Sequence, residues 1–220
     1  MPIVANQEKA ETGGLTKNRV ETLTDGVFAI AMTLMVFTIH IPQLEGAAVS
    51  GLSHRLLELW PSFFIYGVTF AVLGIFWVAH HTHFYFIRHI DRNSIWINLT
   101  FLFFITTFPF SAALLGAYPG QRVAVICYGV NLSLAALLLF CHLKYATGRG
   151  RLTGPEKDEK GLRLAKQRLL ACPFLCGVSI VLSFFHPLIA SMLYLVIPVM
   201  YIIPGRVDRY FADVLAGRAG

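Results

Sequence analysis

Apolar residues along this chain gather into six long runs. They cover about Arg19 to Ile41, Leu57 to His81, Ser94 to Tyr118, Val123 to Leu143, Leu169 to Phe185 and Pro187 to Ile203. A helix rising about 1.5 Å per residue needs about 20 mostly apolar residues to cross about 30 Å of hydrocarbon. Each run therefore predicts one membrane-spanning helix. Only His186-Pro187 separates the last two, which predicts a tight helical hairpin, and Pro204-Gly205 closes the sixth. No internal repeat is visible, so the six spans read as one unit.

Composition agrees with this pattern. The 220 residues are 56% apolar and 14% charged, with a mean hydropathy of +0.64; soluble domains average about 45–50% apolar and about 25% charged. Residues 1–18 are polar, without the apolar core of a cleavable leader, so the first span is expected both to target the chain and to remain in it.

Charge placement sets the expected topology. Lys9, Lys17 and Arg19 precede the first span, and Arg88 and Arg92 join the second to the third. Eight more, from Lys144 to Arg168, join the fourth to the fifth, and Arg206, Arg209 and Arg218 follow the sixth. Only Arg55 and Arg122 fall on the opposite side. Basic residues collect in cytoplasmic loops, so both termini are expected in the cytoplasm. The predicted class is an all-α membrane protein of six transmembrane helices. Residues 1–18 and 206–220 form cytoplasmic ends around a membrane domain at 19–205.

The net charge of +6 is then a topology signal and not a nucleic-acid footprint, which would want a basic folded face with base-stacking aromatics. The run GRGRLTGPEKDEKGLRLAKQR reads as a solvated cytoplasmic linker in contact with lipid headgroups. Cys127, Cys141, Cys172 and Cys176 all lie within predicted spans and imply no disulfide framework.

Polar side chains at membrane depth are costly and are candidates for function, although hydrogen bonding between helices also uses them. In the first span, at 100° per residue, Gly26, Ile30, Thr33 and Phe37 fall within about 60° of one another, with Leu34 at the edge. Asp25 projects about 100° away. One face can thus line something narrow while another pairs with neighbouring helices; alternatively Thr24 and Asp25 simply cap a helix beginning at Gly26. His80 and His83 in FWVAHHTHF share a helix face that could suit zinc, yet nothing near them in sequence completes a tetrahedral set. Asn98 lies one turn inside the third span and needs partners; Thr106, Thr107 and Asn131 are further polar positions.

The chain lacks G-x-S-x-G, H-E-x-x-H and the phosphate-loop GK[ST], so no enzyme is expected and no metal or cofactor is implied. The potassium-filter sequence TVGYG is also missing.

The stretch Arg19-Val-Glu-Thr-Leu23-Thr24-Asp25, followed by Gly26-Val-Phe-Ala-Ile30, resembles the R-x-x-x-F-S-D signature of the lysosomal-type potassium channel family, transmembrane protein 175. Trp77-Val-Ala-His80 resembles the family's W-x-x-H, and Asn98-Leu99 and Pro109-Phe110 follow in order. Leu23 stands in place of the signature Phe and gives up an aromatic ring; Thr24 replaces Ser and keeps the hydroxyl. The resemblance covers about the first half of the chain. It implies a prokaryotic, single-repeat member that forms a homotetramer in the inner membrane, with the first helix of each subunit surrounding a pore that potassium permeates. Ile30 matches the constriction and Thr33 a nearby polar position, with Leu34 and Phe37 continuing the lining. Arg19, Leu23, Thr24 and Asp25 match a network that ties the first helix to Trp77, His80 and Asn98. A proton-conducting channel and a secondary transporter of the same architecture remain the alternatives.

Overall fold

The computed structural model describes residues 16–39, 52–148, 152–153 and 159–202. The ends of the first and sixth spans, the terminal segments, and Arg149, Arg151 and Lys157 of the basic linker lie outside the described residues.

All regular structure here is helical: α1 (Lys17–Leu34) with a 3-10 turn (Met35–Thr38), α2 (Leu52–Glu58), α3 (Trp60–Phe86), α4 (Arg92–Thr106), α5 (Phe108–Ala117), α6 (Arg122–Thr147), α7 (Glu159–Leu182), α8 (Pro187–Leu193) and α9 (Val196–Ile202). Among the described residues, five stretches are long and apolar enough to cross a membrane: Lys17–Thr38, Trp60–Phe84, Arg92–Ala117, Arg122–Thr147 and Gly161–Leu182. A shorter apolar sixth, Pro187–Ile202, is built from α8 and α9. The chain turns back at Ser183–His186 between the last two, as the His-Pro pair predicts.

The second and fourth spans run a few residues past their expected ends, to Phe86 and Thr147, and two further departures carry more. The fifth helix begins at Glu159, ten residues before the apolar run, so half of the basic linker is helical. Lys, Arg, Glu and Leu are all strong helix formers, and this composition extends the helix past its apolar part. The third span is interrupted at Thr107, where α4 ends and α5 starts with Pro109 in its first turn. Proline supplies no N–H and its ring crowds the carbonyl four residues back, here that of Ile105. Polar side chains take up the break: the Thr106 hydroxyl donates to the Phe103 carbonyl at 2.8 Å. Thr107 donates to Asn131 Oδ1 at 2.8 Å, and Asn131 Nδ2 donates to Ser111 Oγ at 3.0 Å. Asn131 of α6 thus holds both sides of the interruption. Pro173, by contrast, sits inside a continuous α7.

The core is packed around α6, which touches α4, α5, α7 and α8. Tyr128 is fully buried there, 4.9 Å from the ring of Tyr194, with its hydroxyl 3.0 Å from that of Thr69 on α3. Tyr194 donates to the Val125 carbonyl at 2.7 Å, so each buried phenol keeps a partner, as a low-dielectric interior requires. A smaller apolar group at one end joins Val20, Phe84, Ile87, Ala146 and Leu152, and there Arg88 N donates to the Leu152 carbonyl at 2.8 Å.

Candidate functional site on the first helix

Helix α1 begins at Lys17, with Thr16 as its N-cap residue. Asp25 therefore lies two turns inside the helix, and the capping alternative for Thr24-Asp25 does not hold. The polar residues before Gly26 are themselves helical.

The helix shows two faces. Val20, Thr24, Phe28 and Ala31 are buried against the rest of the chain, followed by Met35 in the 3-10 turn; the three- and four-residue spacing makes them one stripe. Phe28 meets Phe101 of α4 with ring centroids 6.0 Å apart. Facing away, Ile30 is 60% exposed, Leu34 47% and Phe37 76%, and Thr33 is exposed as well. The Thr33 hydroxyl reaches back to the carbonyls of Ala29 and Ile30 at 2.9 and 3.0 Å. Its proton is spent within the helix, so its oxygen is what it offers outward. Phe37 departs from the simple helical wheel. Residues three apart in a 3-10 turn eclipse each other, so Phe37 lines up with Leu34 rather than with Ile30 and Thr33.

Polar contacts fasten the helix to two others. Trp77 Nε1 donates to Asp25 Oδ1 at 2.8 Å. His80, one turn on along α3, shares a 2.9 Å hydrogen bond between its Nε2 and Asn98 Oδ1 of α4. Asn98 Nδ2 donates to Thr24 Oγ1 at 3.2 Å, and Thr24 donates to the Val20 carbonyl at 2.9 Å. With the proton on His80 Nε2, these bonds form one directional chain, His80 to Asn98 to Thr24 to Val20. The His80 ring is stacked between Phe84, with centroids 4.3 Å apart, and Phe101, 5.8 Å away. Asn98, His80 and Thr24 are all buried, so each polar atom used here is one that would be expensive to strand in a membrane.

Of the matched positions, Thr24, Asp25, Trp77, His80 and Asn98 come together. Leu23 is 48% exposed, and Arg19 is exposed, its guanidinium making no hydrogen bond or ion pair to any described residue. His80 has its Nε2 committed to Asn98, and among the described residues no three His, Cys, Asp or Glu side chains form a group able to hold a metal ion.

Sequence reasoning missed a second tie in the same row. Ser94 Oγ lies 2.7 Å from His142 Nε2, and His142 stacks on the other side of Phe84 at 5.4 Å. Ser94 precedes Asn98 by one turn, and His142 follows Asn131 by eleven residues, three turns on the same face of α6. That spacing was the available signal.

Residues 19–109 match the family described as the endosomal/lysosomal potassium channel TMEM175. A Streptomyces collinus protein named as a potassium channel is 36% identical over 174 residues, which are 74% of this chain and 82% of that one. One from Chamaesiphon minutus, also named as a potassium channel, is 35% identical over 186 residues, 83% of this chain and 89% of that one. A crystal structure described as a lysosomal potassium-selective channel TMEM175 homolog from Chamaesiphon minutus superposes with a TM-score of 0.76 at 29% identity, covering 85% of this chain and 96% of the other. A nearly all-helical chain, fastened at its first helix through Thr24 and Asp25 and alike over most of its length to these proteins, is an integral membrane protein of the TMEM175 ion-channel family and not an enzyme.

Proposed function

We propose that the protein is a potassium-permeable cation channel, modestly selective for potassium over sodium, made of four copies that surround a pore with their α1 helices. The observation that carries this reading is the division of α1 into two faces. One face is tied to Trp77, Asn98 and, through Asn98, His80; the other presents Ile30, Thr33, Leu34 and Phe37 away from the rest of the chain. Two similar proteins that carry the name of potassium channel support it. The membrane domain spans 19–205, and both ends, 1–18 and 206–220, face the cytoplasm of a prokaryotic cell, in keeping with the basic residues around them.

In this reading four Ile30 side chains form a hydrophobic constriction that closes by excluding water. Opening widens the ring until a partly hydrated cation passes. No charged residue belongs to the lining, so preference comes from oxygen dipoles near Thr33 and from the lower dehydration cost of potassium. Such a mechanism discriminates only modestly.

The test is cation flux from liposomes holding the purified protein, with potassium inside and sodium outside, and again with the gradient reversed. Larger potassium flux, altered by Ile30→Asn, is the expected result. Absence of cation flux in both directions, or a proton flux that persists without potassium, overturns it.

A further inference from the structure

A cleft of about 540 Å³ opens between α3, α7 and α9. Its inner half is apolar, with Ala71, Gly74, Ile75 and Val78 on α3. Its other end carries Thr82, His83 and Arg168. From Ala71 to His83 the helix rises about 18 Å, close to the roughly 15 Å thickness of one bilayer leaflet.

The polar end is built rather than incidental. Arg168 is the last charged residue before the uncharged run 169–182 of α7. Its guanidinium lies 4.8 Å over the Tyr201 ring, and its Nη2 donates to the Tyr201 carbonyl at 2.6 Å; the Tyr201 hydroxyl in turn donates to the Arg168 carbonyl. These contacts fix the fork, whose planar array of five donors suits phosphate oxygens. His83 lines the same cleft but is only 3% exposed, with its Nδ1 shut away, so its ring packs the wall and Arg168 supplies the polar contact. Arg163 and Lys166 precede Arg168 on the same helix and add to the positive potential at this end.

We infer that this cleft is a binding site for one anionic phospholipid, its phosphate held at Arg168 and an acyl chain lying along Gly74. The argument for this occupant is the matching of length and charge: an apolar trough one leaflet deep that ends in a fixed cation. Trp77 forms part of the cleft wall and is also the residue that donates to Asp25 of α1. The lipid therefore touches the side chain that fastens the first helix.

The test uses the full-length protein in vesicles and reads binding, so it succeeds or fails independently of ion conduction. Trp60 and Trp96 are the other two tryptophans, both largely exposed; Trp60→Phe and Trp96→Phe leave Trp77 as sole reporter. Phosphatidylglycerol with brominated acyl chains is titrated into phosphatidylcholine, and the labels are then exchanged between the two lipids. Bromine quenches an indole on contact. One cationic contact is worth about 1 kcal/mol near the membrane surface, so half-quenching is expected at about fivefold lower mole fraction of brominated phosphatidylglycerol than of brominated phosphatidylcholine. Arg168→Gln removes the preference. Gly74→Leu, at a position where an added Cβ meets nothing within 4 Å, fills the trough and shields Trp77 from both lipids. Equal quenching by the two lipids, a preference that survives Arg168→Gln, or quenching unchanged by Gly74→Leu overturns the site. So does a Trp77 that neither lipid reaches, which would mean that another copy of the chain covers the cleft.

Discussion

Asp25 and Trp77 lie fifty-two residues apart and share a 2.8 Å hydrogen bond from indole to carboxylate. Both are partly exposed, so the bond is worth less than a buried charged one, on the order of 1 kcal/mol. Thermal unfolding in detergent of Trp77→Phe, Asp25→Asn and the double variant forms a cycle whose expected coupling is about that size. Additive losses would show that the pair does not act as a unit.

Ile30→Asn and Asp25→Ala should part company. Ile30 faces away from its own chain, so a polar replacement leaves folding within about 0.5 kcal/mol of the parent while, in the proposed pore, it wets the constriction and raises potassium flux. Asp25→Ala breaks the tie to Trp77 and lowers yield of assembled protein without widening the pore. Equal currents from both variants and the parent would sink this division of labour.

Asn98 is the middle of the three-helix chain, and Asn98→Leu strands the ring nitrogen of His80 together with Thr24. The expected loss is about 1–3 kcal/mol, read from denaturant unfolding. Thr24→Val removes only the last link and is expected to cost less. The reverse order would mean that Asn98 is not the hub.

Gly129 is the position where α6 admits the Tyr194 ring. An added Cβ there would stand 2.3 Å from the Tyr194 hydroxyl and 3.2 Å from Ile180 Cγ1. Gly129→Ala is expected to destabilise by about 1–3 kcal/mol, whereas Gly177→Ala, with nothing within 4 Å of the new Cβ, is expected to be neutral or mildly stabilising through helix propensity. A melting temperature unchanged by Gly129→Ala would contradict the packing of α8 on α6.

Hydropathy made the spans legible, because burial in lipid is a property of long uniform stretches that needs no knowledge of partners. The partners of Asn98 were different in kind. Its depth showed that it needed them, but His80 and Thr24 became candidates only through the signature. Arg19 belongs to the same signature, yet its guanidinium bonds to no described residue, so a motif indicates company more surely than it indicates a bond. The helical start of α7 was hidden because a run such as Glu-Lys-Gly-Leu-Arg has the composition of a linker and of a solvated helix alike. The 3-10 turn at Met35–Thr38 was hidden for another reason: a wheel drawn at 100° assumes its own regularity. That assumption put Phe37 over Ile30, where the backbone aligns it with Leu34.

The chain of donors from His80 through Asn98 and Thr24 to the Val20 carbonyl has a mechanical consequence. Turning α1 about its axis by a single residue, about 100°, would carry Thr24 away from Asn98, and sliding it along its axis by one turn would do the same. Only tilts that carry α3 and α4 along preserve every link. In the proposed pore the moving part would then be a three-helix lever, and the small, cheap motions available to it are those in which the first helix never acts alone.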